Sequence, residues 1–199
     1  MTSVSHETAS HHLPPLQVAR QQRQVVRYLI LADAVFFGCL IFTYFYLRSL
    51  DVSGGWIPDD GQTATAWQVW AITAVIVVSA LLYRSGELAL RAGQRQRFVA
   101  STLVGLGLVL VAGALVVYQL ASVPMLMSDG SYGSIFITMA GVQFAHLVLL
   151  AVIAFGIWNR AIQGKLDDGN NNHATLVGYF WYWVALTAVL GALTTFFVS

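Results

Sequence analysis

Arg27-Tyr-Leu-Ile-Leu-Ala-Asp-Ala-Val-Phe-Phe-Gly-Cys-Leu-Ile-Phe-Thr-Tyr-Phe-Tyr46 decides the fold of this chain. Between Arg27 and Arg48 the single charged residue is Asp33, and everything around it is apolar or aromatic. About 20 residues of helix cross the roughly 30 Å of a bilayer's hydrocarbon core, so the stretch reads as a membrane span. A carboxylate at that depth costs about 2.5–3.5 kcal/mol on insertion scales. It therefore faces protein or water and often marks a proton or ion role. The other carboxylates fall in stretches that read as tails, loops or helix ends.

Composition agrees. Hydrophobic residues make up 57% of the chain and charged ones 10%, against about 45–50% and about 25% in soluble domains. Spans are predicted at about 26–47, 66–86, 98–120, 133–158 and 177–198. Backbone polar groups must be satisfied internally in lipid, and no two-residue alternation suggests a barrel. The expected fold is an all-α polytopic bundle of five transmembrane helices over residues 25–199, with no second domain and no repeat. Residues 1–24 read as a polar tail broken by Pro14-Pro15. This tail lacks the apolar core of a cleavable signal, so the first span is expected to serve as the insertion signal. His6, His11 and His12 in it are potential metal ligands, but a disordered tail is the preferred reading. Cys39, the single cysteine, reads as a small hydrophobe. A net charge of +1 and no basic motif give no sign of a nucleic-acid partner.

Arginines set the orientation. Arg20, Arg23, Arg27, Arg84, Arg91, Arg95, Arg97, Arg160 and Lys165 fall on one side of the five spans and Arg48 alone on the other. By the positive-inside rule the amino terminus is cytoplasmic and Ser199 outside. Residues 49–65, with Asp51, Pro58, Asp59 and Asp60, and residues 121–132 read as outer loops; 164–173 read as an inner one. Trp56, Trp67, Trp70, Trp158, Trp181 and Trp183 are expected near span ends, where indole rings favour the interface.

Two segments carry a resemblance. Leu31-Ala-Asp-Ala-Val-Phe-Phe-Gly38 is similar to the Ser-Glu/Asp-x-x-Phe-Phe segment of haem-copper oxidase subunit III. Ser128-Asp-Gly-Ser-Tyr-Gly-Ser-Ile-Phe-Ile-Thr-Met-Ala-Gly-Val-Gln-Phe-Ala-His146 resembles that family's Asp-Gly-x-Tyr-Gly-Ser-x-Phe…Gly-x-His-Gly-x-His run. Asp129, Tyr132, Gly133 and Ser134 match the loop motif, and His146 matches the last histidine. The chain departs elsewhere. Gln143 and Phe144 replace the first histidine and its following glycine, and Gln119 stands where many members have an acid. Tyr182 and Ala185 replace the His and Asp of Trp-His-Phe-Val-Asp. The pattern suggests a divergent five-helix bacterial branch, lacking the first two of the seven helices of longer members.

The resemblance implies a cofactor-free accessory subunit of a respiratory haem-copper oxidase in a bacterial plasma membrane. It implies subunits I and II, structural phospholipids and a small subunit IV as partners, with haem and copper held in the partner subunits. It also implies that Asp33 sits near a lipid cleft and sustains proton uptake during oxygen reduction. From the residues alone, Asp33, His146, Gln143 and Gln119 read either as a proton-tuning polar contact or as ordinary interhelical hydrogen bonds, worth about 0.6 kcal/mol each on average. One intramembrane histidine cannot hold a redox centre alone. Two alternatives stand beside this reading. One is a small proton-coupled transporter using Asp33, which predicts broken spans in paired positions. The other is an accessory protein of a nitric-oxide reductase.

Overall fold

A computed structural model of the chain describes residues 15–52, 54–57, 65–123, 126–166 and 171–196. These form five α-helices: α1 (Pro15–Ser49), α2 (Ala66–Arg91), α3 (Arg95–Ser122), α4 (Ser131–Ile162) and α5 (Asn172–Phe196). All five are long and apolar enough to cross a membrane, so the protein is a multi-pass membrane protein, all-helical as expected. The three tail histidines, Pro58, Asp59, Asp60 and Ser199 lie outside the described residues.

Each helix outruns the span predicted for it, mostly at the arginine-rich end. Residues 15–24, expected as tail, are the start of α1. Pro15 opens that helix, where its missing N–H leaves no hydrogen bond unmade. Hydropathy measures the hydrocarbon crossing, whereas the backbone ladder continues into the polar interface. The 35 residues of α1 extend about 52 Å at 1.5 Å per residue, well beyond the bilayer core.

α2 and α3 form a tight pair joined by a short turn in which Gly93 takes φ 76°. Small residues allow close approach where lipid offers no hydrophobic drive. A Cβ on Gly86 would lie 1.9 Å from Ser101 Oγ, and one on Gly105 would lie 3.1 Å from the Trp181 ring. α5 packs against α1, α2 and α4, while α1 touches only α4 and α5 among the described residues. Most of the apolar surface of α1, including Leu31, Val35, Phe36 and Phe42, is therefore exposed.

Two apolar cores result. The larger centres on Tyr83, Phe98, Leu150 and Trp181. There Tyr83 stacks on Trp181 at 4.4 Å and donates to the Ala174 carbonyl at 2.8 Å. The smaller gathers Phe37, Tyr44, Tyr132 and Phe136 between α1 and α4. At the arginine-rich end, Arg95 donates to the carbonyls of Ala161 (2.6 Å) and Ile162, supplying partners to the last turn of α4. Arg23 and Gln22 bracket Asn172, tying the overhang of α1 to the start of α5.

Trp181 and Trp183 correct an expectation. They lie well inside α5, not at its interface: Trp181 is fully buried with its indole N–H on Ser79 Oγ at 3.0 Å. Trp67 and Trp70, in the first turns of α2, are exposed as an interfacial belt requires.

Candidate functional site

Asp33 projects from the middle of α1 toward α4 and α5. His146 Nε2 lies 3.2 Å from Asp33 Oδ1 and 3.0 Å from Oδ2. The indole N–H of Trp183 donates to Oδ2. Three helices thus converge on one carboxylate. His146 is buried, whereas the Asp33 side chain keeps 25% exposure, so the site is open on the acid's side. Phe180 presents to the imidazole at 6.3 Å, nearly perpendicular. His146 Nδ1 is buried without a hydrogen-bond partner. An imidazole and a carboxylate in this geometry can share or pass a proton at the Nε2–Oδ contact, and the indole N–H holds the carboxylate in place through Oδ2.

Gln143 lies one turn from His146 on α4. Its Nε2 donates to the Val184 carbonyl at 3.4 Å, and Thr187 donates to its Oε1 at 3.2 Å. The expected cross-helix hydrogen bonding therefore holds for Gln143. Gln119, in the last turns of α3, is buried with its Nε2 unpartnered.

The loop-motif residues form a separate structure. Asp129 accepts from the Leu126 N–H at 2.7 Å and from Ser128 Oγ at 3.1 Å. Ser134 Oγ donates back to the Met127 carbonyl at 2.5 Å. Gly130 takes φ 129° at the entry to α4, a conformation that disfavours a side chain. Tyr132 is fully buried, edge-on to Trp56 at 5.6 Å and stacked with Phe136 at 6.0 Å. Gly133 is buried beside it. These four residues aim the start of α4 and do not touch Asp33.

Glu87, an acid that the sequence reading places at a helix end, is more deeply enclosed than Asp33. Glu87 is 2% exposed inside α2. It accepts from Arg84 (3.0 Å), Arg91 (2.5 Å), Thr175 (3.1 Å) and Tyr182 (2.9 Å). Hydropathy ends the span where these charges accumulate, yet α5 lies over them. The spacing Arg84, Glu87, Arg91 places the three on one helix face, and this was the available signal. Trp183 was missed because nothing in its local sequence distinguishes a ligand of Asp33 from a belt residue.

Among the described residues no three His, Cys, Asp or Glu side chains gather where they could hold a metal ion. The donor set at the central site is one imidazole and one carboxylate.

A family model described as cytochrome c oxidase subunit III matches residues 2–197. Curated relatives at low identity include cytochrome c oxidase subunit 3 of Prototheca wickerhamii, 21% identical over 87% of this chain and 66% of that protein. The subunit 3 of Rhinoceros unicornis is 24% identical over 87% of this chain and 66% of its own length. That of Corynebacterium diphtheriae is 23% identical over 84% of this chain and 83% of its own. The chain thus spans a little under two thirds of several longer relatives and most of the bacterial one.

Proposed function

Because the chain belongs to the cytochrome c oxidase subunit III family, we propose that it is an accessory subunit of a bacterial respiratory haem-copper oxidase, sustaining proton uptake and turnover stability in its catalytic partner. The observation that carries this reading is the Asp33–His146–Trp183 convergence. A partly exposed carboxylate beside an imidazole, on a helix with much of its apolar flank uncovered among the described residues, supports a role in proton exchange. The reading locates the protein in the plasma membrane with its arginine-rich end in the cytoplasm. Haem and copper belong to the partner subunits, because the donor set here suits proton exchange and not redox ligation.

A groove beside the site supports the lipid part of the reading. It has a volume of about 380 Å³ and is lined by Arg27, Ile30, Tyr179, Tyr182, Trp183 and Leu186. Arg27 lies 5.9 Å from the centre of the Tyr179 ring. A guanidinium suits a lipid phosphate, while Ile30, Trp183 and Leu186 offer apolar wall to an acyl chain.

The test is Asp33→Asn in the intact oxidase. The variant is expected to assemble with an unchanged haem spectrum, while proton uptake slows or inactivation during turnover changes rate. Kinetics identical to wild type over many turnovers would make Asp33 a packing residue.

A further inference from the structure

Beyond Gln143, away from the Asp33–His146 pair, a half-open pocket of about 70 Å³ is reached by all five helices. Phe37, Val116, Phe136 and Met139 give it apolar walls, but five polar side chains also line it: Thr73, Gln119, Gln143, Thr187 and Thr195. Among the described residues no titratable side chain lines it.

The polar groups make an incomplete hydrogen-bond set. Gln119 is 5% exposed, lines the cavity, and has no partner for its Nε2. Two threonine hydroxyls spend their protons on their own helices: Thr73 on the Val69 carbonyl at 2.9 Å and Thr195 on the Gly191 carbonyl at 3.0 Å. Each such oxygen keeps lone pairs able to accept. The cavity therefore presents an unmet donor and several unused acceptors. Its ligand must accept and donate at once, must be small, and must be neutral because no counter-charge is present. An acyl chain would leave Gln119 unpaired, and an ion would be unbalanced. One water needs about 10–15 Å³ of such volume and two to four polar partners, which this site exceeds.

We propose that this cavity is a neutral water site, with Gln119 Nε2 its principal anchor and the threonine hydroxyls its acceptors. It is separate from the Asp33–His146 pair. Lacking a titratable wall, it bridges helices and does not relay protons.

Cryo-electron microscopy of the purified membrane complex containing this chain, at a resolution that shows buried waters elsewhere, tests the assignment. The expected map has a compact peak about 3 Å from Gln119 Nε2, and the peak disappears in Gln119→Leu. An elongated acyl density, a Gln119 amide turned onto a protein carbonyl, or no peak would overturn the proposal. So would a peak that persists unchanged in Gln119→Leu. Should that variant fail to assemble, the wild-type map decides alone.

Discussion

His146 Nε2 lies 3.0 Å from Asp33 Oδ2, joining α4 to α1 across 113 residues of sequence. The contact matters for packing as well as chemistry. α1 touches no other helix than α4 and α5 among the described residues, so this pair, the Trp183 bond and the Arg23–Asn172 contact are its principal polar ties to the bundle.

A double-mutant cycle with Asp33→Asn and His146→Gln measures that tie. Interhelical hydrogen bonds in membranes average about 0.6 kcal/mol and reach about 1.7. Three converging groups place this coupling toward the upper figure. Thermal unfolding in detergent is the readout, and strict additivity of the two single variants would show that the pair does not act as a unit.

Glu87 and Tyr182 form the polar pin between α2 and α5. Removing the hydroxyl in Tyr182→Phe is expected to cost about 1.5 kcal/mol, the lower end for hydrogen bonds to a charged group. The Arg84 and Arg91 partners are about half exposed, so their ion pairs contribute less than the distances suggest. Arg84→Gln should therefore change unfolding less than Tyr182→Phe, and the reverse order would contradict the assignment.

Glycines separate by what they face. Gly86→Ala drives a Cβ into Ser101, and Gly107→Ala meets nothing within 4 Å. Overpacking of a tight contact costs about 1–3 kcal/mol. Alanine in place of an unobstructed helical glycine gains up to about 1 kcal/mol. The two variants should shift the unfolding temperature in opposite directions.

Gln119 and Gln143 line one cavity and occupy positions where the family pattern has an acid and a histidine. Gln119→Glu alone buries an unpaired carboxyl among the helices, and assembled protein should fall. Adding Gln143→His supplies a partner and should restore much of the yield. Equal yields for the single and double variants would show that the two positions are independent.

The five helices were legible because hydropathy reports what each must bury in lipid, and the Asp33 and His146 candidates followed from the cost of charge at depth. Their meeting was not derivable from spacing, since it depends on how α1 docks on α4. Glu87 escaped for a related reason. Its flanking arginines made it resemble a solvated helix end, while Thr175, Gly178 and Tyr182 of α5 lie over it. Trp181 and Trp183 follow the same lesson, because composition places tryptophan at interfaces while the packing of α5 needs both inside. The outer loop before α4 was readable as a loop, and within it Asp129 accepts hydrogen bonds from Leu126 and Ser128.

Purification of the tagged chain in a mild detergent, followed by visible spectroscopy and mass spectrometry of the co-purifying material, tests membership in an oxidase most directly. The account predicts haem absorbance together with a large histidine-rich membrane subunit in constant ratio to this chain. A colourless preparation containing only copies of this chain, under conditions that keep membrane complexes intact, would contradict it.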